Sequence, residues 1–169
     1  MLGSALLPPP LPPWDGIHPL IVHFPIALLL VSPLFVLLGF LPKVGRGFAI
    51  AGLVLMVLGT IGAYVAVESG EAGAELVTRT PEVAPVLQQH RELADTVRVL
   101  FTVLTAVWAV LLFGPALLKN KKLPAAAPTV AKIAFLVAYL LCAIVLANVG
   151  HLGGRLVHQY GVQAWFDGK

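Results

Sequence analysis

The chain has 169 residues, 59% of them hydrophobic and only 11% charged, with a mean hydropathy of +0.93. Soluble domains carry about 25% charged residues, so an ordinary water-soluble fold is excluded and an integral membrane protein is expected. The formal charge is +3, and the single cysteine, Cys142, lies inside an apolar run, which leaves no disulfide framework and no cysteine-based zinc site.

Residues 1–17 form a Pro-rich N-terminal segment (MLGSALLPPPLPPWDGI). It lacks a basic start and a clean apolar stretch, so it does not read as a cleaved signal peptide. A membrane-crossing helix needs about 20 apolar residues to pass roughly 30 Å of hydrocarbon. Four stretches qualify, at about 20–41, 48–67, 97–118 and 130–150, and each is free of charge near its centre. Pro25 and Pro33 should bend the first, which is tolerated where neighbouring helices satisfy the freed carbonyls. Gly52, Gly59 and Ala66 recur every seventh residue in the second, with Ala63 four after Gly59, a small-residue seam for close helix packing. The expected fold is all-α: residues 18–158 make one integral membrane four-helix up-and-down bundle, because short connections favour antiparallel neighbours. Residues 159–169 then form an interfacial tail held by Tyr160, Trp165 and Phe166.

Threading four spans puts Lys43, Arg46, Lys119, Lys121, Lys122 and Lys132 on one side, with no acid among them. The other side receives five basic residues and all eight acids, a balance of −3. Positive residues mark the cytoplasmic side, so both termini are expected outside a bacterial inner (plasma) membrane. The split also argues against reading the net charge as a nucleic-acid footprint.

All five histidines fall on the outer side. His18 and His23 start the first span, His90 precedes the third, His151 ends the fourth and His158 lies in the tail. Glu68 ends the second span on the same side, either as a ligand or relay group or as the first solvated residue past a span. His23 follows Leu20, Ile21 and Val22 and is the deepest ionisable group in the chain, about 7 Å below His18 at 1.5 Å per residue. An ionisable group inside a span is a functional candidate. His18 and His23 stand about 140° apart on an ideal helix, so each needs partners from other helices. If the polar stretch QQHRELADT continues the third helix, His90, Ala94 and Val97 share one face. For His158 an interfacial role is expected, and Gly150, Gly153 and Gly154 read as a helix stop. No phosphate-binding loop, dinucleotide fingerprint, nucleophile elbow or Cys-x-x-Cys-His occurs.

The runs HPLIVHFPIALLL (18–30), HRELA (90–94) and GHLGGRLVHQYGV (150–162) together resemble the uncharacterised bacterial membrane-protein family catalogued as domain of unknown function 2231. The resemblance covers the chain from His18 to Val162 and carries over His18, His23, His90 and His151; position 158 is His where relatives often show an aromatic residue. Such domains are sometimes joined to cytochrome-type domains, which implies a redox context.

The expected function is that of a membrane redox subunit. It would bind non-covalent b-type haem through histidines at the outward end of the bundle and pass electrons to a partner. His23 is the favoured axial ligand, with His90 or His151 opposite it, His18 as a second ligand or holding a propionate, and Arg91 or Arg155 also on a propionate. The alternatives are a copper or zinc site from His23, His90, His151 and Glu68, and a non-catalytic structural or partner-binding subunit. The expected partners are the lipid bilayer and a cytochrome or other redox protein on the outer side, with a homo-oligomer open and no nucleic acid.

Overall fold

Every long apolar run becomes a helix, since in hydrocarbon a helix satisfies its own backbone. The computed structural model describes residues 11–117 and 127–163. The connector carrying Lys119, Lys121 and Lys122, and the tail carrying Trp165 and Phe166, fall outside the described residues. A 3-10 turn at Trp14–Gly16 leads into α1 (His18–Ile21), which Val22 joins to α2 (His23–Leu38). Three long helices follow: α3 (Gly45–Ala74), α4 (Val83–Leu117) and α5 (Ala127–His158). No strand occurs among the described residues. Four helices are long and apolar enough to span a membrane, α1 and α2 together making the first. Contacts run α2 to α3, α3 to α4, α4 to α5, and α5 back to α2. The helices therefore form a closed ring of antiparallel neighbours, with α2 diagonal to α4 and α3 diagonal to α5.

The proline rule works out residue by residue. Pro33 lies inside α2 and has no N–H for the carbonyl four residues before it, that of Leu29. Tyr139 of α5 fills the gap, its hydroxyl donating to the Leu29 carbonyl at 2.8 Å. Pro25 likewise cannot bond the carbonyl of Ile21, and the helix is interrupted at Val22, between α1 and α2.

Between the spans the core is aromatic. Trp108 stacks on Phe135 with centroids 4.9 Å apart, and Phe101 meets Tyr139 edge-on at 5.4 Å. Trp108 also donates its indole N–H to the Ala49 carbonyl at 3.1 Å. The small-residue seam packs α3 on α2: a Cβ on Gly59 would lie 2.7 Å from the Leu29 side chain. Lipid is as apolar as leucine, so this contact stabilises by dispersion and close fit and not by removal of water.

The helices overrun the spans expected from hydropathy. α3, α4 and α5 have 30, 35 and 32 residues, or about 45–52 Å at 1.5 Å per residue, against about 30 Å of hydrocarbon. The stretch QQHRELADT is helical, and α5 runs through Gly150, Gly153 and Gly154 to His158, so these glycines do not stop it. The extensions meet in a second, aliphatic core of Ala74, Val83, Val86, Leu87, Leu152 and Leu156. It stands over the end of the bundle that holds the histidines, called the histidine end below.

Candidate functional site

His18 opens α1 just before Pro19. Its ring reaches α3, where Nδ1 lies 2.8 Å from the Ala66 carbonyl and 3.4 Å from Ser69 Oγ. Ser69 donates to the same carbonyl at 3.1 Å. A carbonyl only accepts, so Nδ1 carries the proton, and in the neutral ring Nε2 presents a bare lone pair. The ring lies against Gly70, where a Cβ would come within 2.9 Å of His18 Cε1.

His90 repeats this arrangement across the bundle. It projects from α4 to α5, where Nδ1 donates to the Val149 carbonyl at 3.1 Å, and its ring lies against Gly153, where a Cβ would come within 3.3 Å of Cε1. In both cases a histidine bonds a carbonyl of the next helix, and a glycine four residues past that carbonyl makes room for the ring. The two units come from diagonal helices at the same end of the bundle. Asp15, three residues before His18, keeps Oδ1 buried without a hydrogen-bond partner among the described residues.

The other sequence candidates go elsewhere. His23 is exposed, and its Nδ1 donates to the Pro19 carbonyl of its own helical segment at 2.8 Å. The 140° offset from His18 that the sequence implies takes it off the bundle interior. His151 and His158 are exposed on α5, beside Asn148 on its outer face. The Glu68 side chain is 64% exposed and pairs with Arg98 at 3.3 Å; Arg98 also meets Asp95 at 2.7 Å. Arg91 binds both carboxylate oxygens of Glu71. Arg155 donates to Gln159 Oε1 at 2.9 Å and to the Tyr160 hydroxyl at 3.2 Å. Among the described residues, no group of three or more His, Cys, Asp or Glu side chains is placed to hold a metal ion, so His23, His90, His151 and Glu68 do not converge.

Of these elements, sequence reasoning singled out His18, His90 and Gly153 but missed Ser69, Gly70 and Asp15. A glycine and a serine inside an apolar helix are ordinary in membranes. Only their position opposite His18 gives them meaning.

The family model described as "Predicted membrane protein (DUF2231)" matches residues 15–165. The chain belongs to this family. The match begins at Asp15 and encloses both histidine–carbonyl–glycine units of this DUF2231 protein. No curated protein and no solved structure matches it.

Proposed function

We propose that His18 and His90 would hold a non-covalent b-type haem, and that the protein is an electron-transferring membrane subunit. The observation that carries this reading is the duplicated unit itself. Metal-ligating histidines almost always donate their other ring N–H to a carboxylate, carbonyl or water, which fixes the tautomer and the ring plane. Both imidazoles are held in that way, on carbonyls of neighbouring helices. Haem asks the protein for only two axial ligands, whereas zinc and copper sites use three or more protein ligands. With two anchored rings and no third ligand converging among the described residues, the donor set fits haem better than a bare ion. When bound, haem would supply one-electron chemistry. Arg91 is already engaged by Glu71, and Arg155 by Gln159 and Tyr160 on the outer face of α5, so neither is assigned to a propionate.

The histidine end is assigned to the outer side, because Lys43 in the turn before α3, Arg46 at the start of α3 and Lys132 near the start of α5 lie at the opposite end. A cytochrome or other redox protein on that side is the partner this reading requires.

A second reading has its own support. The same two bonds tie α1 to α3 and α4 to α5, so the pair would also serve as an organiser of the bundle mouth. The absorption spectrum of the detergent-purified protein, expressed with adequate haem, separates the two. A reducible Soret band that is lost or shifted in both His18→Ala and His90→Ala, and kept in His23→Ala and His151→Ala, is expected. A protein that shows no such band, and whose His18→Ala and His90→Ala variants lose only stability, is a structural subunit.

A further inference from the structure

Among the described residues, one face of α5 is left uncovered from Val137 to His158. Val137, Leu141, Ile144, His151, Arg155 and His158 follow one another at spacings that sum to single or double turns, which keeps them on one side of a helix. The three apolar members are 54%, 61% and 59% exposed, and both histidines are exposed as well. The face changes character along the helix, apolar at the level of the spans and basic beyond them. From His151 to His158 the rise is about 10 Å at 1.5 Å per residue, comparable to the headgroup layer at one surface of a bilayer, about 5–8 Å thick. A shallow cleft there is lined by His151, Gly154, Arg155, His158 and Gln159. Gln159 Oε1 and the Tyr160 hydroxyl each take one Arg155 N–H, and the guanidinium lies 5.8 Å from the Tyr160 ring centroid. The guanidinium is thus held by two of its five N–H donors, and the others have no hydrogen-bond partner among the described residues.

We infer that this face binds one anionic phospholipid, its phosphate on Arg155 and the two histidines and an acyl chain along Val137, Leu141 and Ile144. The order of groups down the helix matches the order within such a lipid, and an arginine fork suits a phosphate. A second copy of the chain is the poorer occupant. Two copies inserted the same way pair through a two-fold axis along the bilayer normal, so a dimer through this face would bring the two Arg155 charges together at the same depth.

The test uses the full-length protein, delipidated in neutral detergent and titrated with phosphatidylglycerol or phosphatidylcholine, with bound lipid read by native mass spectrometry. One phosphatidylglycerol per chain is expected, with phosphatidylcholine bound much more weakly. Arg155→Gln should weaken phosphatidylglycerol binding about tenfold, the effect of losing one charge-assisted hydrogen bond. Should that variant fail to fold, the double substitution of the exposed His151 and His158 by Ala takes its place and should weaken binding as well. Equal binding of the two lipids overturns the proposal, and so does unchanged affinity in a folded variant or a lipid-independent dimer. None of these readings needs His18, His90 or a Soret band, so this proposal and the haem reading fail separately.

Discussion

His18 and His90 differ from His23 and His151 less in depth than in direction. The first two turn inward, bond carbonyls of a neighbouring helix and lie against glycine; the second two face out of the bundle. Burial of an imidazole with one nitrogen fixed leaves the other nitrogen as a directed lone pair, which is the form a ligand needs. An exposed imidazole has no such constraint. Position along a helix decides which end of a bundle a residue reaches, but its angle around the helix decides whether it can act with others.

The strongest way to break this comparison is to remove each histidine in turn. His18→Ala and His90→Ala are each expected to lose or shift the Soret band, because each removes one of the two rings that would hold the haem. His151→Ala is expected to leave it unchanged. A spectrum that survives loss of His90 and collapses without His151 would invert the assignment.

The glycines offer a finer cut. A Cβ at position 70 would come 2.9 Å from the His18 ring, and one at position 153 would come 3.3 Å from the His90 ring. Gly70→Ala should therefore displace its histidine, at a cost of about 1–3 kcal/mol for overpacking, and should shift or weaken the Soret band. Gly153→Ala needs only a slight shift of the ring and should do less of both. Thermal unfolding and absorption of the two variants, measured side by side, check the ranking.

Tyr139 supplies the control, because it also anchors on a helix carbonyl but lies in the aromatic core between the spans, away from the histidine end. Tyr139→Phe leaves the Leu29 carbonyl without a donor and should cost about 1 kcal/mol, as hydrogen bonds between membrane helices do. Pro33→Ala restores the missing N–H, so the double variant should recover part of that loss. This non-additivity, read from a double-mutant cycle of unfolding free energies, identifies a purely structural anchor. If His18→Ala behaved in the same way, losing stability with an unchanged spectrum, the inward histidines would be anchors too.

The four spans, their neighbours and the gathering of the histidines at one end were legible in the sequence because hydropathy and connector length carry that information. Two features were not. QQHRELADT is too polar to count as a span, yet it continues α4, because beyond the hydrocarbon a helix needs only one apolar stripe, and Val86, Leu87 and Leu93 supply it to the second core. Direction around α1 and α2 was hidden for the opposite reason. In a membrane both the core-facing and the lipid-facing sides are apolar, so the 3.6-residue pattern that orients a surface helix is weak. Depth alone then favoured His23, and only the packed bundle shows that His18 faces inward.

The smallest expected effect belongs to His23, the residue the sequence favoured most. Its ring is exposed and its bond runs to Pro19 within its own helical segment, so no second helix depends on it. His23→Ala should change stability by about 0.5 kcal/mol or less, as exposed substitutions do, and should leave the Soret band in place. The result discriminates despite its size, because the two criteria for choosing a ligand disagree at this position. Depth predicts that the chromophore is lost, and direction predicts that it is kept. A bleached His23→Ala protein with unchanged thermal stability would mean that a ligand can be recruited from the lipid-facing side of α2, and the inward pair would lose its claim to the site.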